Sequence, residues 1–89
     1  MNDIKFANGE RHECSFLSTI PEAGTMKAFI ALSDVNFVEA AAIFSDTEKT
    51  SEMEWGAYRL IGYTNLAALS IQPYGIQATL TGGHDERIG

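Results

Sequence analysis

The sequence is poor in cysteine, proline and positive charge. Its 89 residues include one cysteine, two prolines, and six lysine or arginine residues against twelve aspartate or glutamate residues. The single cysteine, Cys14, excludes an intramolecular disulfide and fits a reducing compartment. The basic residues form no cluster and the net charge is −6, so direct nucleic-acid binding is disfavoured. An acidic chain can instead meet a basic protein surface.

Long apolar runs and targeting signals are missing as well. No stretch approaches the roughly 20 apolar residues that a membrane helix needs. The opening segment MNDIKFANGE lacks the basic region and the following apolar run of a signal peptide. We therefore expect a soluble protein located in the cytoplasm, with no membrane partner.

Apolar residues are nevertheless sufficient for one small folded domain. Hydrophobic residues make up 45% and charged residues 20% of the chain, a composition too apolar for a disordered segment. A domain of this length buries little more than half of its unfolded surface, so we expect a free energy of unfolding on the order of 5 kcal/mol. Partner binding could help to complete such a small core.

Residues 34–46, DVNFVEAAAIFSD, form the only segment with a helical pattern. Asn36 can accept hydrogen bonds from the free N–H groups of the first turn, and Glu39 completes a capping box. Apolar residues recur at helical spacing and predict one buried stripe of Phe37, Ala40, Ala41 and Phe44, which is widened by Val38, Ala42 and Ile43. About ten helical residues are marginal in isolation, so we expect the helix to pack on a sheet.

The remaining segments alternate apolar and polar residues, which predicts strands. Asn8-Gly9 favours a type I′ turn in an opening hairpin. Three residues of its second strand are expected on one face: His12, Cys14 and Phe16. A third strand over residues 26–32 precedes the helix, and residues 45–51 are expected to form an exposed connection. Alternation resumes over residues 52–63, where Gly56 marks a bulge or bend, and two closing strands flank a turn at residues 73–75.

These elements predict an α+β fold with the order β-β-β-α-β-β-β. Local hairpins favour a small, mainly antiparallel sheet of about five to six strands, with one α-helix packed on one face. We expect a single domain over residues 1–81. Residues 82–89 are expected to form a polar, flexible tail.

No group of residues has the spacing of a catalytic or metal site. Cys14 could pair with His12 or His84, but side chains two apart on a strand stand about 6.5–7 Å apart, and His84 lies in the expected tail. Glu10, His12 and Cys14 would supply only part of the four ligands of a structural zinc site. The carboxylate pairs Glu52/Glu54 and Asp85/Glu86 look solvated, unlike glycosidase carboxylates. We therefore predict no catalytic residue, no metal, no cofactor and no enzyme activity.

Aromatic residues are better candidates for function. A surface row of Trp and Tyr beside Arg59 is typical of an interface hot spot, although a domain this small can use the same side chains as core. Glu52 and Glu54 share one strand face and would add a negative stripe for a partner. We predict partner contacts at six residues: Trp55, Tyr58, Arg59, Tyr63, Glu52 and Glu54.

Four segments, spread over about two-thirds of the chain, carry a resemblance to a known class of proteins. They are IKFANGE, the Leu-Ser-Asp-x-x-Phe-x-Glu-Ala segment, AAIFSDTEKTSEM and GYTNL. In this order the chain resembles small proteins encoded in prophages and tailed phages of Firmicutes. The resemblance implies a virion-associated or accessory interaction protein, in the host cytoplasm or the virion, and transfers no catalytic residue.

Two hypotheses of function follow. The first is a non-enzymatic phage or prophage protein–protein interaction module, associated with a tail or virion, that binds by surface packing or by strand addition at an open sheet edge. The alternative is an acidic, anti-CRISPR-like anti-defence inhibitor that occupies the basic nucleic-acid site of a host nuclease. Its charge would come from five glutamates: Glu10, Glu13, Glu48, Glu52 and Glu54. Assembly into a homo-oligomer is left open.

Overall fold

Eight strands and two short helices make up the part of the chain that the computed structural model describes, residues 3–31 and 36–88, with Pro21 described in its backbone only. The strands are β1 (Asp3–Phe6), β2 (Arg11–Ile20), β3 (Thr25–Ala31), β4 (Glu52–Trp55), β5 (Tyr58–Ile61), β6 (Asn65–Gln72), β7 (Gly75–Thr81) and β8 (His84–Arg87). The helices are α1 (Phe37–Ser45) and α2 (Thr47–Thr50), and a 3₁₀ turn, Pro21–Ala23, joins β2 to β3. The prediction of an α+β domain with a mainly antiparallel sheet is confirmed, but the predicted numbers of strands and helices were too low.

The ten-residue strand β2 connects the two halves of the sheet. The strand order is β6-β7-β3-β2-β1-β4-β5-β8, and every pair is antiparallel. Residues 11–13 of β2 pair with β1, whereas residues 14–20 pair with β3 on the other side. Successive parts of one strand therefore pair with different halves of the sheet.

A β-bulge in β2 reverses which side chains face the core. Cys14 pairs with Ile30, but Phe16 pairs with Phe29, so Ser15 is the extra residue. Cys14 is fully buried, whereas 49% of Phe16 is exposed. The prediction that Phe16 shares a face with Cys14 was therefore wrong, because a bulge shifts the alternation by one residue.

Helix α1 has the predicted N-terminus and packs on β6 and β7. Asn36 Oδ1 accepts a hydrogen bond from the Glu39 N–H at 2.9 Å, and Glu39 Oε2 accepts from the Asn36 N–H at 3.4 Å, so the predicted capping box is confirmed. The predicted residues 34–35 lie outside the described residues. The Phe44 ring meets the Phe6 ring edge-on, with centroids 6.0 Å apart, and so ties the helix to β1.

The buried face of α1 is rotated from the predicted stripe. Ala40, Ile43 and Phe44 are buried, whereas Ala41 is only partly buried and 46% of Phe37 is exposed. Because Ile43 rather than Ala41 turns inward, the buried face centres on Ala40 and Phe37 lies at its margin. The predicted stripe was therefore wrong at Phe37, and also at two of the residues expected to widen it, the exposed Val38 and Ala42.

Two turns differ from their predicted form. The opening hairpin has a three-residue loop, residues 7–9, in which the Gly9 N–H donates to the Phe6 carbonyl and the Phe6 N–H donates to the Glu10 carbonyl. A type I turn followed by a glycine bulge has this pattern. The prediction of a two-residue type I′ turn was therefore wrong. Residues 52–63 do not form one strand, because Trp55 pairs with Tyr58 across a two-residue turn. Gly56 takes a φ of 59° there, which is the backbone that a type II′ hairpin turn requires.

Two segments predicted as loop or tail are structured. Within residues 45–51, predicted as an exposed connection, α2 forms and its Thr50 is fully buried. Within residues 82–89, predicted as a flexible tail, β8 pairs with β5 over Tyr58–Ile61. The chain enters β8 through Gly83, where a Cβ would collide with the Ile61 carbonyl and stand 2.6 Å from the Tyr63 nitrogen. Only glycine fits this approach of the two backbones.

The two phenylalanines of α1 allow a matched test of this packing. Replacing Phe44 by Ala should lower the free energy of unfolding by about 3–5 kcal/mol, because it leaves a cavity beside Phe6. Replacing the half-exposed Phe37 should cost about 1 kcal/mol or less. Urea unfolding followed by circular dichroism measures both, and equal losses would contradict the assigned buried face.

Candidate functional site

The β4–β5 hairpin separates five of the six predicted contact residues onto two faces of the sheet, and Tyr63 lies beyond β5. Its register pairs Trp55 with Tyr58 and Glu54 with Arg59. Because side chains alternate along a strand, the aromatic pair lies on the same face as the buried pair Met53 and Leu60. Glu52, Glu54 and Arg59 lie on the opposite face. The predicted set is therefore not one surface.

The aromatic face borders a cavity of ≈ 150 Å³, which we call the aromatic pocket. It lies between β2 on one side and β4, β5 and β8 on the other. Its lining residues are Leu17, Thr19, Trp55, Tyr58, Leu60 and Asp85. The bulge in β2 turns Leu17 and Thr19 toward this space, and 42% of Tyr58 remains exposed at the rim. The pocket thus joins parts of the chain that are distant in sequence.

Two of the residues that line the pocket carry polar groups of opposite kind. The indole Nε1 of Trp55 is buried and has no hydrogen-bond acceptor among the described residues. Asp85 is paired across the sheet with Leu60, and its Oδ1 accepts a hydrogen bond from the Tyr63 hydroxyl at 2.7 Å. A buried donor without an acceptor is uncommon in folded proteins.

Tyr63 is a core residue and not a surface contact. Its side chain is fully buried, so its predicted role as a direct partner contact was wrong. Burial, together with the hydrogen bond to Asp85 and the charge of that carboxylate, raises the pKa of the Tyr63 phenol. The phenol therefore stays protonated and keeps donating to Asp85. The Tyr63 hydroxyl thereby holds the Asp85 carboxylate in position at the pocket.

The opposite face carries an ion-pair group that compensates its own charge. Arg59 Nε lies 3.0 Å from Glu52 Oε1, and Arg59 Nη2 lies 3.8 Å from Glu54 Oε1. The first contact is ionic although its angle falls outside hydrogen-bond geometry. Lys5 pairs with Glu54 across the sheet, and an open groove of ≈ 170 Å³ borders Lys5, Glu52 and Glu54. Such exposed pairs contribute at most about 1 kcal/mol each, and they leave little net charge for a partner.

The alternative chemical sites have structural roles instead. The Cys14 thiol is buried and donates to the Phe16 carbonyl at 3.0 Å. Burial raises the pKa of this thiol, so it stays protonated and weakly nucleophilic. His12 Nε2 lies 3.6 Å from Glu10 Oε2 and its ring packs edge-on against Phe6.

Two remaining features, metal binding and membrane crossing, concern residues 3–31 and 36–88, which the structure describes. In those ranges, no three His, Cys, Asp or Glu side chains converge in a way that could hold a metal ion. Neither described helix has the length and apolar content to cross a membrane.

Leu17, Thr19 and Asp85 are pocket residues that the sequence did not predict. Asp85 was placed in the tail, because HDER has no apolar alternation. Leu17 and Thr19 lie beyond the bulge at Ser15, and no local sequence pattern predicts the one-residue shift in alternation that the bulge causes. The only signal for Asp85 in the sequence was a polar side chain soon after the Gly82-Gly83 pair. Such a combination predicts a turn equally well.

Replacing Tyr63 by Phe tests the support of Asp85. The neutral phenol is favoured in the folded state, so its contribution to stability is complete below about pH 10 and declines as the pH rises above that value. Tyr63→Phe should therefore cost about 1–3 kcal/mol at pH 7, and less at pH 11. Denaturant unfolding at both pH values measures this, with Tyr74→Phe, at an 81% exposed residue, as the control. A loss independent of pH would contradict the assigned hydrogen bond.

Comparison with models of known protein families, with curated proteins and with solved structures gave no match for this chain. Function is therefore inferred from the aromatic pocket, the opposite face and the sheet edges themselves.

Proposed function

We propose that this chain is a non-enzymatic protein–protein interaction module whose contact site is the aromatic pocket. The observation that carries this proposal is the position of Trp55 and Tyr58 beside a cavity of ≈ 150 Å³ that also borders the Asp85 carboxylate. Trp and Tyr at water-excluding pockets supply much of the binding energy of interfaces. Pockets for cofactors and drug-sized ligands hold about 300–1,000 Å³, so this cavity fits a single side chain.

The chemistry of the pocket favours a basic side chain, and arginine above lysine. Aromatic faces attract cations, and a carboxylate adds an ion pair. The guanidinium plane can stack on Trp55 or Tyr58 while its N–H groups donate to Asp85. The net charge of −6 steers a basic partner toward the chain. Arg87, opposite Tyr58 in the ladder, is an exposed positive charge that opposes an incoming cation, so Arg87→Ala is expected to strengthen binding.

A non-enzymatic role is supported by where the reactive groups lie. The Cys14 thiol is buried and bonded to a backbone carbonyl. Glu52 and Glu54 are both paired with Arg59, and Asp85 accepts from Tyr63. These carboxylates are held by partners of the chain itself, which suits positioning and recognition better than acid–base catalysis.

A phage or prophage origin, with a place in a tail or virion, rests on the sequence resemblance alone. Mass spectrometry of purified phage particles, produced from the genome that encodes this chain, tests the virion role. The chain should be present at a fixed ratio to the tail proteins. Its absence would remove the virion role and leave the interaction module.

The anti-defence alternative has less support from the geometry. Glu10 lies 3.5 Å from Lys49, and Glu52 and Glu54 are paired with Arg59. Three of the five glutamates proposed to imitate nucleic acid therefore contact basic residues of the same chain. A mimic needs carboxylates that are free to meet a basic channel, and its complex should weaken steeply with salt.

A pair of peptides tests the proposed pocket directly. N-acetylated Gly-Arg-Gly amide should change the fluorescence of Trp55, the only tryptophan, with a dissociation constant in the millimolar range, about −4 kcal/mol. The peptide with citrulline has nearly the same shape without the charge and should bind about five- to tenfold more weakly.

Protein variants supply the matched control. Asp85→Asn keeps the size of the side chain and should reduce the difference between the two peptides to the part that the aromatic rings supply, whereas Glu52→Gln on the opposite face should leave it intact. Equal binding of the arginine and citrulline peptides to the unmodified protein would overturn the proposed basic partner. No saturable change with either peptide would overturn the pocket as the contact site.

A further inference from the structure

The two outer strands of the sheet differ completely in charge. Strand β8 reads HDER, and each of its residues is ionisable or charged. Strand β6 reads NLAALSIQ and carries no charge over eight residues. Natural proteins use charged side chains to keep a free sheet edge from pairing with another strand. Edge β8 has this protection and edge β6 does not.

The side chains of β6 are accessible at this edge. Ala68 and Ser70 are exposed, and so is 59% of Ile71. Ile71 pairs with the buried Ile76, so it lies on the core face at the margin of the sheet. An aliphatic side chain is therefore only partly covered at the same edge where the backbone lacks a neighbouring strand within the described chain.

The pattern of β6 fits an antiparallel pairing with itself. A bulge at Ala67 interrupts the strand, but residues 68–72 alternate regularly. Leu69 and Ile71 lie on the core face, and Ser70 lies on the other face. Residues opposite each other in a ladder must share a face, and in a two-fold arrangement each contact occurs twice. A dyad at Ser70 satisfies both conditions, because Leu69 then faces Ile71 of the second copy.

Other dyad positions give shorter ladders. A pairing centred on Leu69 places the bulged residue Ala67 in the ladder. A pairing centred on Ile71 places Pro73 in it, and proline has no N–H to donate. The dyad at Ser70 therefore uses the longest regular part of the strand.

We propose that β6 is a self-association edge through which two copies of this chain form one continuous antiparallel sheet. Residues 68–72 of the copies pair about a dyad at Ser70, and the two Leu69–Ile71 contacts cover the exposed Ile71. Two chains of net charge −6 repel each other, so close approach is favoured at an edge without charge. The contact is small and predicts a weak, concentration-dependent dimer. It involves no residue of the aromatic pocket, so it stands or falls independently of the proposed function.

Cysteine cross-linking tests the dyad. Paired residues in an antiparallel ladder have Cα atoms about 4.5–5.5 Å apart, within the range of about 4.4–6.8 Å that a disulfide spans. Ser70→Cys should therefore give a disulfide-linked dimer under mild oxidation. Gln72→Cys lies on the same strand and the same face, but its copy would stand about 13 Å away along the ladder, so it should remain monomeric. The native Cys14 is buried and should not contribute.

Sedimentation equilibrium supplies the second measurement. The unmodified protein should shift from monomer toward dimer as its concentration rises, and Ile71→Lys should stay monomeric because it places two like charges at the interface. Circular dichroism of Ile71→Lys should match the unmodified protein, since the side chain is largely exposed. Equal cross-linking of the two cysteine variants, or a monomer at every concentration, would overturn the proposal.

Discussion

The structure depends on the bulge at Ser15, which lies next to the point where β2 changes its partner strand and which resets the core-facing residues of β2. Up to Glu13 β2 pairs with β1, and from Cys14 onward it pairs with β3. Without the extra residue, Phe16 would point into the core and Leu17 would point out of it. The bulge therefore aligns the two halves of the sheet over one core, and it turns Leu17 and Thr19 toward Trp55.

Features set by neighbouring residues were predictable from the sequence. The Asn36–Glu39 capping box is local, and so is the alternation that buries Met26, Ala28 and Ile30 in β3. Features that depend on contacts between residues distant in sequence were not predictable. β8 buries little, so its residues show no apolar alternation, and it is recognised only by its pairing with β5. Tyr63 is buried and its hydroxyl donates to Asp85, 22 residues later, which no local pattern predicts.

The same difference explains why the predicted contact residues do not form one surface. Trp55 and Tyr58 were predicted from residue type, which marks interface anchors without telling which face they occupy. The hairpin turn at Gly56 then assigns the faces, placing the aromatic residues with the pocket and Arg59 with two glutamates. The charged residues thus become a self-compensated surface, and the carboxylate that borders the aromatic pocket is Asp85.

The arrangement of β2 against the β4–β5 hairpin is best tested in solution by nuclear Overhauser effects from the indole ring of Trp55. Trp55 is the only tryptophan, so its ring protons can be assigned without ambiguity. If the bulged β2 borders the aromatic pocket, these protons should show cross-peaks to the methyl groups of Leu17 and Thr19. Cross-peaks confined to Tyr58 and other residues of the hairpin would contradict this placement of β2 and the pocket that depends on it.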